Sequence, residues 1–85
     1  MGHRRGEVEI LIDILGISMK GVRTTHLMYK ANLSYSTLRK YLSTMSKRGL
    51  IAKVRKADGS IIYYSTEKGK IVLNRLNEVM HVLSA

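Results

Sequence analysis

The chain has 85 residues, enough for one domain with a modest core, and carries 15 Lys and Arg against 6 Asp and Glu, a formal charge of +9. The lack of Cys excludes a disulfide framework and a thiolate metal site, and no apolar run reaches membrane-spanning length. So large a basic excess predicts a polyanionic partner: nucleic acid, an anionic membrane surface or an acidic protein.

Residues 1–6 read as a flexible basic arm, and no long apolar run follows them as a signal peptide would require. The first helix is expected from about Gly6 to Gly16. Val8, Leu11, Ile12 and Leu15 form one buried stripe on it, and Ile10, Ile14 and Ile17 a second alongside, one for the core and the other for the core or a partner subunit. Gly16 to Gly21 is a break, and Val22-Arg23 is expected as a short strand. Thr24 or Thr25 caps a second helix that ends near Ala31. Asn32 then suits a tight turn, because after Gly it is among the residues that best tolerate positive φ. Ser34 caps a third helix running to about Arg48, with Leu38, Tyr41, Leu42 and Met45 at i, i+3, i+4 and i+7 as its buried stripe. Its other face is polar and basic, without a carboxylate from Ser34 to Arg48. Lys47 and Arg48 suit the negative end of that helix, and Gly49 stops it.

Leu50 to Lys56 and Ser60 to Ser65 are rich in Ile, Val and Tyr and flank the turn signal Ala57-Asp58-Gly59-Ser60, which predicts a β-hairpin. Leu50, Ala52 and Val54 are expected to face the core, with Lys53 and Arg55 on the other face and Lys56 near the tip. Thr66 caps the last helix and Glu67 sits at its positive end. Val72, Leu76, Val79 and Leu83 step by four, three and four, with Leu73 and Met80 widening the stripe. That is the spacing of a short coiled coil, and it predicts a homodimer through this helix.

The run Asn32-Leu-Ser-Tyr-Ser-Thr-Leu-Arg-Lys-Tyr-Leu is similar to the recognition half of a helix-turn-helix. Lys47-Arg-Gly-Leu-Ile and then Tyr63-Tyr-Ser-Thr-Glu-Lys-Gly follow the winged-helix pattern of a strand start and a helix start after the wing. In order and spacing, residues 7–83 resemble the small archaeal winged-helix DNA-binding proteins, which tend to dimerise through a C-terminal helix. Two positions depart from the pattern: Asn32 stands in place of the turn glycine, and Ser65 in place of an aliphatic residue in the second wing strand. The resemblance implies an α+β, mainly α fold: a winged helix-turn-helix with a three-helix core, a β-hairpin wing and a C-terminal helix. The domain would span residues 7–66 and the dimerisation helix 67–85, in a cytoplasmic, nucleoid-associated protein of archaeal type.

Little in the chain predicts catalysis. His3, His26 and His81 are scattered without companions at ligand spacing, and there is neither a nucleophile elbow nor a Gly-rich phosphate loop. No enzyme activity, metal, cofactor or small-molecule ligand is expected. The candidate site is a surface for double-stranded DNA. Arg39 is expected to read a base edge, by preference guanine, whose O6 and N7 a guanidinium can bond together. Tyr35, Ser36 and Thr37 stand at the helix N-terminus, Lys40 projects beside Arg39, and Ser43 and Lys47 meet the backbone. Lys53, Arg55 and Lys56 of the wing add phosphate contacts, as do Arg23 and the arm residues Arg4 and Arg5. The reading is a homodimeric transcriptional regulator that places helix 34–48 in the major groove and hairpin 51–65 on the backbone or minor groove. Val72, Leu73, Leu76, Val79, Met80 and Leu83 would form its dimer interface. An architectural DNA-binding protein without sequence preference and a winged-helix protein-interaction module are the alternatives.

Overall fold

The computed structural model describes residues 5–84. The elements run α1 (Glu7–Ile17), β1 (Val22–Arg23), α2 (Thr24–Ala31), α3 (Tyr35–Lys47), β2 (Ile51–Arg55), β3 (Ile61–Ser65) and α4 (Glu67–Ser84). This is the expected mainly α winged helix-turn-helix. The two-residue strand joins the wing: the sheet is antiparallel in the order β1-β3-β2, with Val22 opposite Tyr63 and Ile51 opposite Ser65.

Local chemistry sets the element ends. Asn32 takes the left-handed conformation (φ 54, ψ 50), and the N–H of Leu33 bonds back to Met28 O, so one non-glycine residue closes α2 and makes the turn. Ser34 caps α3 by accepting from the Thr37 N–H at 3.2 Å. Gly49 (φ +74) ends α3 in the same way as Asn32 ends α2, with Leu50 N–H on Met45 O. Neither Thr24 nor Thr25 caps α2. Arg23 holds that position without a side-chain bond, because the chain enters the helix straight from β1.

The core gathers Ile14 and Leu15 of α1, Leu27 and Ala31 of α2, Leu38, Leu42 and Met45 of α3, Ile51 of β2 and Leu73 of α4. The two stripes of α1 both serve it: Ile10, Leu11, Ile12 and Ile17 pack on its edge, while Val8 is exposed. α4 is clamped where it leaves the wing. Thr66 Oγ1 donates to Gly49 O at 2.6 Å and accepts from the Gly69 N–H at 2.9 Å. A side chain at Gly69 would collide with the Leu50 carbonyl, so glycine lets the helix cross the end of α3 in contact.

Ser65, placed where the family pattern has an aliphatic residue, is buried and hydrogen-bonded. Its Oγ donates to Leu15 O at 2.6 Å and its N–H donates to Ser18 O at 2.9 Å. Leu15 O belongs to the last turn of α1, where helix geometry leaves carbonyls without partners. The hydroxyl therefore supplies a bond that an aliphatic side chain would leave unmade.

Two expectations are corrected here. The basic arm does not extend through residue 6: Arg5 donates to Asp13 Oδ2 at 2.6 Å, to Asn32 O at 3.2 Å and to Ala31 O, tying α1 to the helix-turn-helix turn. The arm's remaining residues, among them His3 and Arg4, lie outside the described residues. The predicted seam of α4 also divides. Leu73 is buried in the chain's own core, Val72 packs against it, and Leu76 and Met80 are half-buried. Val79 and Leu83 are exposed, as are Ile71 and Val82. An 18-residue helix is ~27 Å long, and its C-terminal turns run past the core that its first turns cover.

Candidate nucleic-acid interface

Side chains advance 100° per residue around α3. Leu38, Leu42 and Met45 point inward, which leaves Ser36, Lys40, Ser43 and Lys47 outward and Arg39 on the flank nearest the wing. The Arg39 flank borders a groove of about 690 Å3 between α3, the start of α2 and the sheet. Tyr35, Arg39, Ser43 and Lys47 form one wall, Thr24, Thr25 and Met28 another, and Lys53, Ile61 and Tyr63 the third.

Lys53 reaches this groove because β2 turns the opposite face inward from the one expected. Ile51, not Ala52 or Val54, is the strand residue buried in the core, and Ala52 and Val54 are exposed. Leu50 closes α3 and packs on the core edge, and within the strand it is Ile51 that turns inward, so the residues two apart from it share its face. Lys53 thus shares a face with Ile51 and meets Arg39 and Lys47 across the groove instead of standing on the outside of the wing.

Five of the predicted residues come together here: Tyr35, Arg39, Ser43, Lys47 and Lys53. Lys40 does not join them. It lines a second, smaller depression with Glu7, Leu11, Tyr41 and Thr44 on the α1 side. Ser36 is exposed, and Thr37 is half-buried with its hydroxyl 2.9 Å from Ser34 Oγ, engaged in the cap rather than presented outward. Arg23, Arg55 and Lys56 are exposed along the sheet and toward the wing tip. Thr24, Thr25 and Met28 were not anticipated. The Thr-Thr pair read as a cap, and only the β1–α2 junction shows that these side chains wall the groove.

The wing tip is closed by Lys56 N–H on Ser60 O at 2.8 Å and Gly59 N–H on Lys56 O at 2.9 Å, with Gly59 at φ +88. Asp58 at the apex accepts from Ser60 Oγ at 2.6 Å and from the Ser60 N–H at 2.9 Å. The Ser60 hydroxyl, then its N–H, hold the Asp58 carboxyl below its usual pKa despite slight desolvation, with Arg23 adding a smaller pull. Among the described residues no three His, Asp or Glu side chains gather as metal ligands, and no helix is long and apolar enough to cross a membrane.

Comparison with known proteins agrees with this geometry. The family model described as winged helix-turn-helix matches residues 4–84. An uncharacterized protein of Methanocaldococcus jannaschii is 32% identical over 81 residues, covering 94% of this chain but 36% of that protein, so the chain spans about a third of that relative's length. Among solved structures, Sso10a-2, a DNA-binding protein from Sulfolobus solfataricus, superposes with a TM-score of 0.86 at 31% identity over 94% of this chain and 83% of its own. The transcriptional regulator BldR, also from Sulfolobus solfataricus, shares the fold with a TM-score of 0.81 at 22% identity, over 88% of this chain and 56% of its own. On its sequence and its structure the chain belongs to the winged helix-turn-helix family.

Proposed function

We propose that this protein binds double-stranded DNA as a homodimeric transcriptional regulator, with α3 in the major groove and the β2–β3 hairpin on the backbone or the adjacent minor groove. The observation that carries the reading is the convergence of Arg39, Lys47 and Lys53 on one groove beside an exposed helix, in a face free of acids. Residues 14–57 contain 10 Lys and Arg and no Asp or Glu. Such a face neutralises phosphates, and a helix of this width fits the major groove. The likeness to Sso10a-2, a DNA-binding protein, supports the same partner. The apolar side chains exposed on the outer half of α4 (Val79, Val82 and Leu83) support a second copy packed there.

One feature favours the architectural alternative: the outermost positions of α3 include Ser36 and Ser43, short side chains that read few base edges. The two readings separate in a salt titration of binding to random and genomic-upstream duplexes by fluorescence anisotropy. A preference of roughly 10³ or more for one set of duplexes identifies a regulator. A steep salt slope without preference identifies an architectural protein. Failure to bind at low salt overturns both.

A further inference from the structure

Asp58 is the only acid between Asp13 and Glu67, and it sits at the apex of the element expected to lie closest to phosphate. It is exposed, stands two residues after Lys56, and holds its place through two bonds from Ser60 to one carboxylate oxygen. A turn could be built there without charge, since an Asn side chain accepts the same bonds from Ser60. The charge is therefore separable from the turn and calls for its own account.

We propose that Asp58 is a specificity-determining residue: its carboxylate repels backbone phosphate and keeps the wing from closing on a duplex unless the contacts of α3 hold the protein in place. This inference rests on the DNA-binding reading above. On a non-preferred duplex only phosphate contacts draw the wing to the backbone, so the repulsion directly lowers sequence-independent affinity. On a preferred duplex α3 fixes the distance of the wing, and the carboxylate matters less. The closed hydrogen bonds on either side of the apex prevent the tip from folding the charge away.

The test is anisotropy of the full chain on a random-sequence duplex pool and on one duplex selected from that pool, for the wild type, Asp58→Asn and Asp58→Ala. Asp58→Asn is expected to bind the random pool about threefold more tightly, the repulsion of two unit charges roughly 7 Å apart in water. Its salt slope on the pool is expected to steepen by up to about 0.9, as closer approach of the wing lets Arg55 or Lys56 neutralise one more phosphate. Binding to the selected duplex changes less, so the ratio between the two falls. Asp58→Ala, which loses turn and charge together, should still show the gain on the pool. Unchanged or weaker binding of the pool by Asp58→Asn would make the residue a turn former only and overturn the proposal. A wild type that binds no duplex overturns the DNA-binding reading itself, a separate outcome.

Discussion

The guanidinium of Arg39 lies over the ring of Tyr35, 5.8 Å from its centroid, with Nη1 3.4 Å from the phenol oxygen, one turn apart on the exposed flank of α3. A free arginine loses side-chain entropy when it engages a base edge. Held on Tyr35 at the rim of the groove, Arg39 has lost part of it already. We expect Tyr35→Phe, which keeps the ring, to bind a preferred duplex within twofold of the wild type. Tyr35→Ala is expected to bind it roughly two- to fivefold more weakly, the range of an exposed cation–π contact. Affinity for random duplex should be the same in both variants, as anisotropy on the two probes would show.

Arg39→Ala and Lys56→Ala should fail in different ways. Arg39→Ala is expected to lose affinity mainly on the preferred sequence, by about 1–3 kcal/mol for a bidentate base contact. Lys56→Ala should weaken all sequences alike and lower the salt slope by about one. Equal losses from both on random DNA would show that Arg39 reads no base.

The inward face of β2 makes the position of Lys53 testable. Lys53→Ala should lower the salt slope by about one. Moving the charge by one residue (Lys53→Val with Val54→Lys) should not restore the slope, because the pleat turns residue 54 away from the groove. Recovery in the double variant would mean that charge on the wing matters and its face does not.

Two buried serines should respond oppositely to alanine. Ser65→Ala leaves Leu15 O without its partner and should cost about 1–3 kcal/mol in urea unfolding. Ser18 is fully buried, and its Oγ bonds to nothing among the described residues. Its replacement removes an unmade bond, and Ser18→Ala should be neutral or slightly stabilising. Ser65→Val should be no better than alanine, although an aliphatic residue suits the family pattern.

For the oligomer, Val79→Asp with Leu83→Asp should yield a single-chain species in sedimentation where the wild type gives two chains. Helical circular dichroism should be retained, because both side chains are exposed and outside the core. A wild type that sediments as one chain at micromolar concentration excludes the dimer.

Features set by short-range chemistry are legible in the order of residues. The period of Leu38, Leu42 and Met45, the cap at Ser34, the left-handed turn at Asn32 and the Asp58-Gly59 apex all follow from residues within a few positions of each other. The element order was therefore legible, and with it the winged-helix fold and the basic recognition face. Which way the wing faces was settled by packing, since both faces of β2 carry apolar residues and burial of Ile51 selects one of them. The tertiary fold alone drew Arg5 from the arm into a tie between α1 and the turn, a contact across 26 positions or more. It alone took Leu73 out of the outer face of α4, because a helix stripe says that a face is apolar and not what covers it. The groove of Arg39, Lys47 and Lys53 belongs to this second kind: two cations of α3 meet a third from β2 because the hairpin folds back beside the helix.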